Sequence, residues 1–151
     1  MRTFKDNTGK EITLQEIVEL ISENYEYEVF VGSDSQVHSE QKVIYVTCIV
    51  LYKKGKGGRI FTCKDTESHT NSLRERLQKE VWRSLEIAFE LRNILPSTVE
   101  LVVHVDVNTK KNFRSSEYLQ EFVGMIMSQG FKCVVKPDAF AAQNCANRGT
   151  K

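Results

Sequence analysis

The chain has almost no net charge: 21 Lys and Arg stand against 20 Asp and Glu, a formal +1. Dedicated nucleic-acid binders carry a basic excess, so the chain as a whole gives no electrostatic argument for DNA or RNA. Only two prolines occur in 151 residues and no low-complexity run appears, which argues against long disordered segments. No apolar stretch reaches the ~18 residues of a membrane span, and no signal-peptide pattern is present. The four cysteines, Cys48, Cys63, Cys133 and Cys145, include no CxxC pair, so a zinc site is not expected. A thiol among apolar neighbours, as three of these are, acts as a small hydrophobe. No GxxxxGK[ST] phosphate loop occurs, and Gly55-Lys56-Gly57-Gly58 reads as a hairpin turn, which disfavours a nucleotide-binding enzyme of that kind. Together these absences predict a soluble protein of the reducing cytoplasm with no membrane partner.

What is present suits one domain with a real core: 151 residues, of which 40% are AVILMFWYC. The expected division is a single domain over residues 1–151, with residues 1–24 a helical extension packed on it. Thr13 and Glu16 form a capping-box pattern ahead of the stripe Leu14, Ile17, Val18 and Ile21. Strands are predicted over Glu28–Asp34, Lys42–Lys53 and Arg59–Lys64, spaced as an antiparallel meander. Ser72 and Glu75 open a long helix to about Arg92 with Leu73, Leu77, Val81, Leu85, Ala88 and Phe89 inward. Val99–Asp106 is an apolar strand of the kind covered on both faces. Ser115 or Ser116 caps a helix with Leu119, Phe122, Val123, Ile126 and Met127 inward and Gly130 past its end. Phe131–Val135 is a fifth strand and Ala139–Asn147 a short last helix. This order predicts an α/β fold: a mixed five-stranded sheet, three strands in a meander and two parallel, with helices on both faces and right-handed crossovers.

Two aspartates take matching places. Asp34 ends the first predicted strand and Asp106 the fourth, where His104 shares its face. If those strands are parallel neighbours, ~4.8 Å apart, both carboxylates can reach one Mg²⁺, which prefers hard oxygen ligands. Each Asp can equally cap the turn after its strand. Glu80 lies on the border of the long helix's apolar stripe, able to reach over the sheet or to pair with Arg76 or Ser84. Asp138, in Lys136-Pro137-Asp138, can ligate a metal or cap the last helix. Histidine as a residue type titrates near neutrality, so His38, His69 and His104 are candidates for general acid or base. Two basic clusters, Lys53-Lys54-Lys56-Arg59 and Lys110-Lys111-Arg114, read first as solvated turns.

Three segments resemble a known family. Gly32-Ser33-Asp34-Ser35-Gln36, His104-Val105-Asp106, and Lys136-Pro137-Asp138-Ala139-Phe140-Ala141-Ala142 with Ala146-Asn147-Arg148 look like the signature segments of the YkuK-like ribonuclease H-like proteins. The resemblance spans about Tyr27 to Lys151. It implies a ribonuclease H-like fold. In the wider superfamily an Asp on the first strand, a Glu on the first core helix, an Asp ending the fourth strand and an acid on the last helix bind two metal ions. That places Asp34, Glu80, Asp106 and Asp138 as metal-binding and catalytic, with Asn147 a competing match for the last position. Ser35, Gln36, Lys110, Lys136 and Asn147 become expected substrate contacts. The implied activity is Mg²⁺- or Mn²⁺-dependent phosphodiester hydrolysis of RNA, DNA or a hybrid. The alternative is an inactive domain of that fold that binds nucleic acid or a protein partner.

Overall fold

Side-chain caps set where the helices begin. The Thr13 hydroxyl accepts the Glu16 backbone N–H at 3.1 Å, and the Thr13 N–H returns to the Glu16 carboxylate at 3.4 Å, which closes the predicted box. Ser72 likewise accepts the Glu75 N–H, at 3.3 Å. The protein is seen here in a computed structural model that describes residues 2–23, 26–53, 55–68, 72–105 and 113–135, with side chains described at 118 and 120–135 of the last stretch. In chain order the elements are β1 (Thr3–Lys5), β2 (Glu11–Thr13), α1 (Leu14–Glu23), β3 (Glu28–Ser39), β4 (Lys42–Lys53), β5 (Gly57–Ser68), α2 (Leu73–Ile94), β6 (Leu101–Val105), α3 (Phe113–Ser128) and β7 (Lys132–Val135). The predicted last helix over Ala139–Asn147 lies outside the described residues.

The mixed sheet has seven strands in the order β2-β1-β5-β4-β3-β6-β7, not the expected five. The two additional strands form a short hairpin at the start of the chain, so residues 1–24 are more than a helical extension. Its turn is held by Asp6, whose carboxylate accepts from the Thr8 N–H, the Thr8 hydroxyl and the Lys10 N–H. The hairpin joins the sheet where Lys5 pairs with Thr62, and Phe4 is fully buried beside it. Strands of three residues carry too little alternation to read from sequence.

The meander is antiparallel as expected: β3 with β4 and β4 with β5. Crossovers then place β6 parallel to β3, from Val29–Leu101 to Gly32–His104, and β7 parallel to β6. The predicted first strand was too short. β3 runs on to Ser39, paired with β4, so Asp34 sits within a strand rather than at its end.

Alternation gives the sheet two distinct faces. On one, Val29 and Val31 meet Ile17 and Ile21 of α1 and Ile87 and Leu91 of α2. On the same face Val103 and Val105 of β6 meet Leu85 of α2 and Phe122 and Ile126 of α3. All three described helices therefore share that face. The other face carries Phe30, Ile44, Val46, Cys48, Val50 and Ile60. Met127, expected inward, is 60% exposed, and the partly buried Tyr118 and Met125 join Phe122 and Ile126 in that core instead. No helix among the described residues is long and apolar enough to cross a membrane.

Candidate functional site

The face of β3 that meets α2 changes chemistry halfway along. Val29 and Val31 are followed at the same alternation by Ser33 and Ser35. α2 changes in step. Reading back along it, Leu91 and Ile87 are followed by Ser84 and Glu80, at the spacing that keeps four residues on one helical stripe. The two changes meet. The Ser33 hydroxyl donates to Thr47 Oγ1 at 3.1 Å and lies 2.7 Å from the Ser84 hydroxyl. The Ser35 hydroxyl donates to Glu80 Oε2 at 2.5 Å, and Arg76 Nε donates to Ser35 Oγ at 3.3 Å. Glu80 is only 7% exposed. A carboxylate taken that far out of water needs hydrogen bonds and a compensating charge. The hydroxyl of Ser35 supplies the first, and the Arg76 guanidinium on that same hydroxyl supplies the second.

Asp34, between the two serines, turns the other way. It is half-buried and pairs directly with Val46, among the residues of the far face. The structure thus brings Glu80 to Ser35 and leaves Asp34 and Glu80 on opposite faces of the sheet. His104 stands beside Gly32 in the parallel register, its ring 4.8 Å from that of Phe30. It is 2% exposed, and burial pushes its pKa down from 6.5 to about 4, so the ring is neutral. Gln36 and His38 are exposed on the continuation of β3. Asp106, Asp138, Lys110, Lys136, Asn147 and His69 lie outside the described residues.

Among the described residues no three His, Cys, Asp or Glu side chains converge closely enough to hold a metal ion. Asp34 has the chemistry for a hard divalent cation: a carboxylate two residues beyond the last β3–β6 pair. Glu80 Oε2 accepts from Ser35 on the α2 side of the sheet, across it from Asp34.

A second polar cluster adjoins the first. The Arg83 guanidinium lies 4.1 Å from the centre of the Tyr45 ring and bridges Asp65, at 2.7 Å, and Glu67. Lys79 also reaches Glu67, at 3.3 Å. Tyr45 is 1% exposed, yet its hydroxyl has no hydrogen-bond partner among the described residues. Sequence reading missed Ser33, Thr47, Tyr45 and Arg83. The signal for the serines was present, since small polar residues replace valines on one face of a strand opposite a helix that makes the same change.

Two comparisons bear on this arrangement. A family model described as Ribonuclease H-like matches residues 12–151. The chain is also 29% identical to a Bacillus subtilis (strain 168) protein called "Uncharacterized protein YkuK", across 98% of this chain and 96% of that one.

Proposed function

The chain belongs to the Ribonuclease H-like family, and from that premise we propose that it hydrolyses phosphodiester bonds of RNA, DNA or a hybrid with a divalent ion, Mg²⁺ or Mn²⁺, held by Asp34 and Asp106. The observation that carries this reading is the parallel pairing of β3 with β6, with Gly32 beside His104. Two residues beyond that pair in the sequence stand Asp34, on β3, and Asp106, the residue after the end of β6. Ligands of such sheets gather beyond the carboxyl ends of parallel strands. A bound divalent ion supplies water activation and neutralises charge on the phosphate. The protein's part is to fix the carboxylates. His104, buried and neutral against Phe30, holds the β6 side of the site by packing. Asp138 is the proposed further carboxylate, and Gln36, Lys110, Lys136 and Asn147 are the proposed contacts to substrate. The proposed setting is the cytoplasm, in keeping with free thiols at Cys48, Cys63 and Cys133.

The test is cleavage of labelled RNA, DNA and hybrid duplexes with Mg²⁺ or Mn²⁺. Wild type cleaves at least one. Asp34→Asn and Asp106→Asn each lower the rate by at least ~100-fold, more than the loss of an outer partner of a metal ligand usually costs. A wild-type protein that cleaves none of the three defeats the reading.

One observation favours a second reading, a domain that binds nucleic acid or a protein partner without turnover. Glu80 faces away from Asp34, which leaves the described carboxylates short of the superfamily set. That reading predicts binding that survives both Asp→Asn changes.

A further inference from the structure

We infer that Glu80 is a positioning residue: its carboxylate holds Ser35, and through Ser35 the stretch of backbone that carries Asp34. The consequence for metal binding rests on the proposed reading of Asp34 as a ligand; the tether itself does not.

Two sets of contacts hold this stretch of β3, its strand ladder and the side chains of α2. From Val29 to Gly32 the strand is hydrogen-bonded on both edges, to β4 and to β6. The β4 ladder continues past Asp34, which pairs with Val46, to Ser39. Along that stretch the side chains of α2 add a second set of contacts. Ser84 grips Ser33 at 2.7 Å and Glu80 grips Ser35 at 2.5 Å, so the residues on both sides of Asp34 are tied to one helix. Arg76 contacts the same Ser35 hydroxyl from one turn earlier on α2.

The chemistry of these tethers argues against simple packing. An apolar pair at these positions would fill the space at lower desolvation cost, and buried ionic groups are seldom the more stable choice. A hydrogen-bonded carboxylate fixes direction, which dispersion contacts do not. A functional carboxylate must be held within about half an ångström, by neighbours whose own rotamers are locked. Ser35 and Glu80, 8% and 7% exposed, meet that condition on the face behind Asp34.

The inference separates cleanly from ligation by Glu80. Glu80→Gln keeps a side-chain oxygen able to accept from Ser35 but removes the charge that a metal ligand needs. Glu80→Ala removes both, and Ser35→Ala deletes only the hydroxyl in the middle of the tether. The experiment measures two quantities on each variant and on Asp34→Asn: Mn²⁺ affinity by electron paramagnetic resonance, and amide hydrogen exchange across residues 33–36 without metal. Positioning predicts Mn²⁺ affinity within ~3-fold of wild type in Glu80→Gln but ~10-fold weaker in Glu80→Ala and Ser35→Ala, the size usual for loss of a ligand's outer partner. Exchange at residues 33–36 should rise ~10-fold in Glu80→Ala and Ser35→Ala and stay near wild type in Glu80→Gln, since local opening follows the lost tether. If Glu80→Gln loses Mn²⁺ as completely as Asp34→Asn, Glu80 is a ligand and the inference is wrong. It is equally wrong if Glu80→Ala and Ser35→Ala leave exchange at 33–36 unchanged. Should wild type bind no Mn²⁺, the metal reading of Asp34 falls, and exchange alone decides whether Glu80 holds the strand.

Discussion

The same two elements, β3 and α2, meet twice, and the two meetings are built differently. At the start of β3, Val29 and Val31 pack on Ile87 and Leu91, and Leu91 is fully buried. Further along, Ser33 and Ser35 meet Ser84 and Glu80 through hydrogen bonds. Both contacts are buried. The apolar one gains free energy from area removed from water, at ~25 cal/mol per Å². The polar one exchanges bonds to water for bonds within the protein and gains on the order of 1 kcal/mol for each. Nothing in the backbone requires the change, since strand and helix continue through it. The difference teaches that stability is drawn from one end of the contact and geometry from the other, and Asp34 sits at the end built for geometry.

The sharpest way to break that comparison is to truncate one residue at each end. Leu91→Ala should cost about 3 kcal/mol, from lost transfer free energy plus the cavity left behind. Ser84→Ala should cost about 1 kcal/mol, since Ser33 keeps its bond to Thr47. Urea unfolding of both variants measures the gap. Equal losses would mean that the serines contribute to stability as much as the leucine, and the division of labour would be gone.

A titration probes the far face of the same strands. His104 packs on Phe30, and burial lowers its pKa to about 4. In the unfolded chain the imidazole titrates near 6.5. Between those values the unfolded state binds a proton that the native state refuses. The stabilisation is complete above pH ~6.5 and is lost as pH falls toward about 4. From pH 6.5 to 5 the loss should be about 2 kcal/mol, read as a falling urea midpoint, and His104→Gln should flatten it. A variant that keeps the wild-type slope would place the titrating group elsewhere.

These contrasts also show how far the sequence could be read. The Thr13–Glu16 box, the capping role of Ser72, the meander and the alternation of helix and strand after it were legible because each rests on local chemistry or a clear period. The β1–β2 hairpin was not, because Thr3–Lys5 and Glu11–Thr13 each hold too few residues to show a period. Met127 was misplaced by following a stripe by its apolar character, while the helix turned Tyr118 and Met125 toward the core. Glu80 could be placed at the edge of the apolar stripe from its 100° spacing alone. Its relation to Asp34 could not, because parity says that Ser33 and Ser35 share a face and is silent on which face α2 covers. That fact comes only from the crossover between β5 and β6.

The smallest expected effect is the most pointed. Tyr45 belongs to the polar end of the contact: it pairs with Ser35 across β3 and β4, and Arg83 of α2 lies over its ring. Burial first, and then the Glu67 charge, raise its pKa above the ordinary 10, so the hydroxyl keeps its proton. Yet among the described residues that hydroxyl has no partner. An unsatisfied buried hydroxyl costs free energy, so Tyr45→Phe should leave stability unchanged or raise it by up to ~1 kcal/mol, while the ring keeps its contact with Arg83. Urea midpoints at neutral pH read the difference. A loss above ~1 kcal/mol would mean that the hydroxyl is satisfied in solution, through an ordered water of the kind that serves buried polar groups. The Ser35–Glu80 tether would then extend into β4, and the polar end would be one network rather than two separate grips on β3.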